Sequence, residues 1–165
     1  KINYKIRIGY PQILVNKLSR FFANRIAVSQ GLSYNIGITF SPNNGDITYH
    51  WTDEGWLYTA IVKDLCTKDV VGYAMSKRMT KELVIKAMQM AIRREAPKPG
   101  LIFHSDRGSQ YCSKSFRALL EAHNIQQSMS RRGNPYDNAC AENFFSCLKC
   151  ECTNFHHFKN RDAAK

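Results

Sequence analysis

Three carboxylates in separate motifs are the residues best suited to chemistry. Asp106 lies in the polar run 104–111, Glu142 lies in the run 137–145, and 35 residues separate the two acids. Asp46 opens a strand-like run further upstream. Carboxylate oxygens are preferred ligands of Mg²⁺ and Mn²⁺, and a pair of such ions can activate the attacking oxygen and stabilise the leaving oxygen at a phosphate. These acids therefore indicate metal-dependent phosphoryl transfer with two Mg²⁺ or Mn²⁺ ions.

The composition suits a nucleic-acid partner. The 165 residues carry 24 Lys and Arg against 13 Asp and Glu, a net charge of +11. Such a surplus favours phosphate contacts, although a basic protein with no such partner has the same composition. No apolar run approaches the ~18 residues of a membrane helix, so we expect no membrane partner. Without a signal peptide, the six cysteines are expected to be reduced thiols in a cytoplasmic protein.

Hydrophobic periodicity predicts the order β-β-β-α-β-α-β-α. Short loops join the first three strands, which favours an antiparallel meander, and the later αβ units favour parallel additions. The expected fold class is α/β, a mixed five-stranded sheet with helices on both faces. The predicted strands are 46–51, 56–63, 70–76, 101–105 and 125–129, and the predicted helices are 80–94, 113–123 and a third that begins after Asp137 or Asn138.

Whether Asp46 and Asp106 can meet depends on where the first strand begins. Asp106 follows the fourth predicted strand, whereas Asp46 starts the first, so two parallel neighbours would carry them at opposite ends. We therefore expect the first strand to begin before Asp46, although residues 41–45 have the composition of a turn or linker. The predicted organisation is a poorly defined N-terminal segment, 1–44, and a core, 45–165, truncated at its C-terminus.

The alternative for any single acid is a solvated surface carboxylate. Asp106 is not readily explained as a surface carboxylate, because a polar loop follows an apolar strand there, and this is a common place for a site in α/β folds. Glu142 departs from that alternative because it lies on an otherwise apolar helix face. Lys149, seven residues and about 10 Å further along that helix, can hold a DNA backbone or be an exposed lysine. The acids expected on the surface are Asp53, Glu54, Asp69, Glu82 and Glu121.

Three other groups have two interpretations each. Cys147, Cys150 and Cys152 with the histidines at 156–157 could bind zinc, but no second pair of ligands follows, and buried or idle thiols are favoured. Arg131 and Arg132 precede a Gly-Asn-Pro loop that suits DNA contact or a solvated turn. The aromatic residues Trp51, Trp56 and Tyr58 are expected in the core and in cross-strand packing rather than in base stacking.

Several motifs in order resemble the bacterial insertion-sequence transposases of the OrfB type, which have a retroviral-integrase-like core. The resemblance covers about residues 45–165, and its motifs are 46–49, 52–58, 104–111, 128–134, 136–139 and 142–149. It implies a ribonuclease H-like fold and a DDE site in which Asp46, Asp106 and Glu142 are the catalytic and metal-binding residues. The DNA-binding positions expected from it and from the loops are Lys149, Arg107, Arg131, Arg132 and Asn138.

The resemblance also implies an activity and its partners. It implies Mg²⁺-dependent nicking of element ends and strand transfer into target DNA, by a homo-oligomer on paired ends in the bacterial cytoplasm or nucleoid. No small-molecule substrate is expected. The sequence departs from the pattern just before Asp46, which predicts a shortened first strand. A nuclease of the same fold and a non-catalytic DNA-binding remnant therefore stay open as alternatives.

Overall fold

The computed structural model describes residues 42–131 and 139–165. The expectations for residues 1–41, and those for Arg132 and Asn138, lie outside this part of the chain.

The strands form one mixed sheet. The order is β3-β2-β1-β4-β5; β2 runs antiparallel to both of its neighbours, β1 and β3, and β4 and β5 run parallel to β1. This arrangement confirms the predicted meander followed by parallel additions. The strands are β1 (Asn43–His50), β2 (Leu57–Asp64), β3 (Val70–Ser76), β4 (Ile102–Ser105) and β5 (Gln126–Met129).

Helices cover both faces of the sheet. Ser113 caps its helix, because its side chain accepts a hydrogen bond from the Phe116 N–H, whereas Thr80 occupies a cap position without such a bond. No described helix is long and apolar enough to cross a membrane. The helices are α1 (Lys81–Glu95), α2 (Lys114–Ala122), α3 (Ala139–Glu151), a 3₁₀ turn (Thr153–Phe155) and α4 (Arg161–Ala164).

Two cores result from this layering. On one face α1 and α2 bury residues such as Leu83 and Phe116 against Val62 and Phe103 of the sheet. On the other face α3 and the C-terminal segment cover β2. This second core contains Leu57, Ile61, Val70, Phe144, Phe145, Leu148, Cys152, Phe158 and Ala164.

The start of β1 differs from the sequence prediction. Residues 43–45 were expected in a turn, but they are buried strand residues that pair with both β2 and β4. Gly45 is required by packing: a Cβ built on it would lie 2.3 Å from the Phe103 ring. The turn prediction for these residues is therefore wrong, and so is the expected shortening, since β1 has eight residues. The expectation that the strand begins before Asp46 is confirmed.

Candidate active site

Asp46 of β1 and Asp106, the residue after β4, lie side by side at the point where β4 ends. Gly45 of β1 pairs with Ser105 of β4 in parallel register, and the two acids are the next residues along each chain. Neighbouring strands are about 4.8 Å apart, so the two backbones carry these carboxylates as neighbours. Asp46 is also paired across the sheet with Ile61, which faces α3, so its side chain lies on that face.

Tyr111 is buried in the first core, where the charges of both acids affect its pKa. Burial raises the pKa of Tyr111 well above its usual 10, and Asp46 and then Asp106 raise it further through their negative charge. The phenol therefore stays protonated at neutral pH. Its hydroxyl oxygen is buried and has no hydrogen-bond partner among the described residues. An uncommitted donor thus lies within electrostatic reach of the acid pair.

Local hydrogen bonds orient the two carboxylates. The Ile47 N–H donates to Oδ1 of Asp46 at 2.7 Å, and the Gly108 N–H donates to Oδ1 of Asp106 at 2.9 Å. Arg107, exposed in the same loop, donates from Nε to the Ser130 carbonyl at 2.8 Å. The loop after β4 is therefore tied to the end of β5, and one N–H of Arg107 has a structural role.

His104 supports that loop from the end of β4. Its ring nitrogens lie 2.9 Å from the Ser128 hydroxyl and 3.2 Å from the Ser130 hydroxyl. These contacts join β4 to β5 immediately before Asp106. The polar residues of this motif thus fix the position of Asp106 relative to β5.

Glu142 is exposed in the first turn of α3, the helix that packs on the face toward which Asp46 points. In the described ranges no group of three or more His, Cys, Asp or Glu residues is close enough to hold a metal ion. The structure therefore brings together two of the three predicted acids. The third is on the adjacent helix, outside the pair.

The acid pair nevertheless fits a hard divalent cation. Both donors are carboxylates, their neighbouring strands hold them together, and backbone N–H groups already orient one oxygen of each. The Tyr111 hydroxyl, which lacks a partner within the described chain, adds a buried polar group close to them. The donor chemistry is that of a Mg²⁺ or Mn²⁺ site rather than of a zinc site.

Lys149 lies at the other end of α3, beside the end of β1. Its Nζ is 5.2 Å from the ring centroid of Tyr49, a cation–π contact. Burial lowers the pKa of His50 to about 4, and the positive charge of Lys149 contributes to the shift. Lys149 is therefore held next to β1. Arg131, the remaining described arginine of the predicted DNA-binding set, is exposed at the edge of the described range.

The cysteine-rich segment shows no cluster of ligands. Cys147 and Cys150 are exposed, and Cys152 is packed in the second core. His156 approaches the Cys152 carbonyl at 2.6 Å through Nδ1, and His157 pairs with Asp53 at 2.9 Å. Each described histidine of the segment is thus engaged with a group other than the cysteine sulfurs.

The tryptophans are on the surface, which corrects the core prediction for them. Trp51 is 57% exposed and Trp56 is 43% exposed, and their rings meet edge to face with centroids 4.8 Å apart. Their predicted cross-strand packing is confirmed, because Trp56 also contacts Tyr49 edge to face at 5.0 Å. Both residues lie between the end of β1 and the start of β2, and neither belongs to one of the two cores.

Sequence reasoning missed His50 and Tyr111 as site residues. Tyr111 lay within the motif of Asp106, but its burial against Phe103 and Phe116 depends on tertiary packing. His50 lies four residues after Asp46 in β1. Side chains alternate between the faces of a strand, so this even spacing was the one feature of the sequence that placed His50 on the same face as Asp46.

Proteins similar to this chain agree with the fold and the motifs. Residues 42–135 match the model of the integrase core domain family. The chain is 47% identical over 143 residues to the transposase InsF of insertion sequence IS3A from Escherichia coli, covering 85% of this chain and 50% of that protein. It is 53% identical over 119 residues to an uncharacterized 31 kDa protein of insertion element IS600 from Shigella sonnei, covering 72% of this chain and 44% of that protein. It spans about half the length of these curated relatives.

Solved structures give the same fold at low identity. A chain of the simian T-cell lymphotropic virus intasome has a TM-score of 0.61 at 21% identity, covering 70% of this chain and 42% of that one. The HTLV-2 integrase catalytic core domain, solved with magnesium, has a TM-score of 0.55 at 18% identity, covering 73% of this chain and 78% of that one.

The architecture is therefore the ribonuclease H-like fold of integrase catalytic cores. The chain belongs to the integrase core domain family, and its relatives at 47% identity are transposases of bacterial insertion sequences, as its motifs predicted.

Proposed function

We propose that this chain is the catalytic core of a DDE transposase, which nicks and joins DNA in the transposition of an insertion sequence. The observation that carries the proposal is the parallel register that sets Asp46 beside Asp106 where β4 ends. The transposase relatives and the net charge of +11 support DNA as the substrate. The proposed core covers residues 45–165.

The acid pair supplies the fixed part of the proposed site. Asp46 and Asp106, each held by a backbone N–H, would bind two Mg²⁺ or Mn²⁺ ions, with Glu142 as the third ligand from α3. Two bound ions supply activation of the attacking hydroxyl and stabilisation of the leaving oxygen. Glu142 must move toward the sheet edge for this, and we propose that DNA binding draws the start of α3 inward.

The basic residues of the proposed site hold the DNA backbone. Lys149 lies beside the end of β1, and Arg107 and Arg131 are exposed near the end of β5. Phosphate contacts of this kind fix the position of the DNA without reading its sequence. Arg132 and Asn138 belong to the proposal on their sequence motifs alone. We also propose that the chain acts as a homo-oligomer on paired element ends, in the bacterial cytoplasm.

Substitution of single acids tests the assignment. Asp46→Asn, Asp106→Asn and Glu142→Gln should each abolish Mg²⁺- or Mn²⁺-dependent cleavage of labelled duplexes copied from the DNA flanking the coding sequence, since each removes a ligand charge without changing shape. Glu121→Gln, on an exposed position of α2, is the matched control and should leave cleavage unchanged.

The products separate the alternatives. Joined strands support a transferase, whereas shortened strands alone support a nuclease. Salt-sensitive DNA binding without cleavage, unaffected by Glu142→Gln, would support the non-catalytic remnant and overturn the proposal.

A further inference from the structure

A cavity of about 300 Å³ lies between the end of β1 and the chain after α3, away from the acid pair. Tyr49, His50 and Trp51 line one side of it, and Lys149 and Asn154 line the other. Its volume is at the lower end of the range for small-ligand pockets. The cavity thus combines planar rings, an amide and one positive charge.

His50 gives the cavity an uncommitted polar group. Its side chain is 4% exposed, and its Nε2 has no hydrogen-bond partner in the described part of the chain. A buried polar atom without a partner costs free energy, so such an atom commonly binds a ligand or a water. Because burial and Lys149 lower the pKa of His50 to about 4, the ring is neutral at pH 7 and presents one donor and one acceptor nitrogen.

The walls of the cavity are fixed by the C-terminal segment. The Asp53 N–H donates to the Phe158 carbonyl at 3.0 Å, and His157 pairs with the Asp53 carboxylate at 2.9 Å. Arg161 donates from Nε to the Trp56 carbonyl at 3.0 Å. These bonds hold residues 153–161 against the β1–β2 turn, so the cavity is formed before any ligand binds.

We propose that this cavity binds one unpaired DNA base, with Lys149 on its phosphate and Nε2 of His50 on the base edge. The inference rests on the proposed function, because the occupant is the DNA that the acid pair cuts. The exposed ring of Trp51, 57% accessible, offers a stacking face that every base can use. A neutral imidazole suits the donor and acceptor groups of a base, whereas a phosphate alone would leave the rings unused.

The position of the cavity agrees with this occupant. His50 lies four residues beyond Asp46 on the same face of β1, a separation of about 13 Å. A strand whose phosphate reached Asp46 and Asp106 would place a base only a few nucleotides away at the cavity. An unpaired base there would hold the DNA end open next to the cut.

The test compares two ligands of equal charge. Binding of the whole chain to a labelled oligothymidylate and to an abasic oligonucleotide of the same length is measured by fluorescence anisotropy, in EDTA so that no cleavage occurs. The unsubstituted chain should bind the base-containing strand about 5-fold more tightly or better. Trp51→Ala and His50→Phe should remove that preference. Lys149→Ala should weaken binding of both strands equally.

The control and the folding check use neighbouring residues. Phe155, 78% exposed in the same segment, does not line the cavity, and Phe155→Ala should keep the preference. His50→Phe should not lower the melting temperature, because it removes a polar atom that has no partner within the described chain. If it does unfold the protein, Trp51→Ala, at an exposed position, carries the test.

The outcomes also separate this inference from the proposed catalysis. Asp46→Asn should abolish cleavage but keep the preference for bases. An unchanged preference in both Trp51→Ala and His50→Phe, or none in the unsubstituted chain, would overturn the base site.

Discussion

The side of β1 that faces α3 is polar from end to end. Residues 44, 46, 48 and 50 alternate onto this face, and they are Asn, Asp, Thr and His. Asn44, Thr48 and His50 are buried there, and Oδ1 of Asn44 has no partner among the described groups. Burying polar groups without partners costs free energy of folding, so this layer stabilises the core less than apolar side chains would.

His50 should make the stability of the protein depend on pH. Its pKa is lowered to about 4 in the folded state from 6.5 in the unfolded chain, so the unfolded state binds the proton first as the pH falls. The free energy of unfolding should therefore decrease through the window from 6.5 to about 4, by about 3 kcal/mol from this residue. Urea denaturation across that window measures the change.

His50→Phe isolates this contribution from the carboxylates that titrate in the same range. The variant should lose less stability than the unsubstituted protein on acidification, because its side chain cannot take up a proton. Equal losses in the two proteins would show that His50 is not held neutral by its burial and by Lys149.

Motif chemistry drew attention to the acids but not to the buried groups near them. Asp106 was recognisable because a polar loop follows an apolar strand there, whereas Asp46 was recognisable only from its strand-like run and the family motifs. His50 was not recognisable, because its burial is created by residues 153–158, which fold back over the β1–β2 turn. Glu142 was predicted from its helix face, yet its approach to the pair depends on where α3 begins, and periodicity does not give this.

At the level of elements, β1 shows how pairing overrides turn composition. Residues 43–45 are Asn, Asn and Gly, which favour turns in isolation. Here β2 pairs with them on one side and β4 on the other, so both ladders of backbone hydrogen bonds compensate for poor strand propensity. The sheet order that follows from this pairing sets the two acids side by side, and local sequence alone does not reveal it.

Gly45→Ala tests how tightly that edge is packed. The added Cβ would lie 2.3 Å from the Phe103 ring and 3.3 Å from the Tyr111 ring, and both rings are buried and cannot move away. We expect a loss of about 1–3 kcal/mol in the free energy of unfolding, measured by urea denaturation. Metal-dependent cleavage should fall as well, because Asp46 is the next residue.

Gly108→Ala is the matched control for this prediction. Its added Cβ would lie 3.0 Å from the Asp106 carboxylate and 3.1 Å from the Gln110 amide, the ends of side chains that are only partly buried. The unfolding free energy of this variant should change much less. If Gly45→Ala were no less stable than Gly108→Ala, the close packing of β1 on β4 would be wrong.

On the scale of the whole molecule, the two ends of the sheet differ in their chemistry. The end where β4 finishes carries Asp106, Arg107 and Arg131, and the cavity beside Lys149 lies further along β1 in the same direction. The opposite end, where β4 begins, carries the turn at 97–100 between α1 and β4. The proposed DNA path therefore runs over one end of the molecule only, although the positive charge is distributed over the chain.

The salt dependence of DNA binding tests this path. A protein that neutralises several phosphates releases counterions, so its affinity for duplex DNA should fall linearly in log–log form with salt, by about 10³-fold between 50 and 200 mM if about six phosphates are contacted. Lys149→Gln should reduce the slope by about one, since it removes one phosphate contact. Lys98→Gln, exposed in the turn at the opposite end, removes the same charge and should lower affinity only slightly without changing the slope. Equal slopes for the two variants would mean that net charge, rather than a defined path past Lys149, binds the DNA.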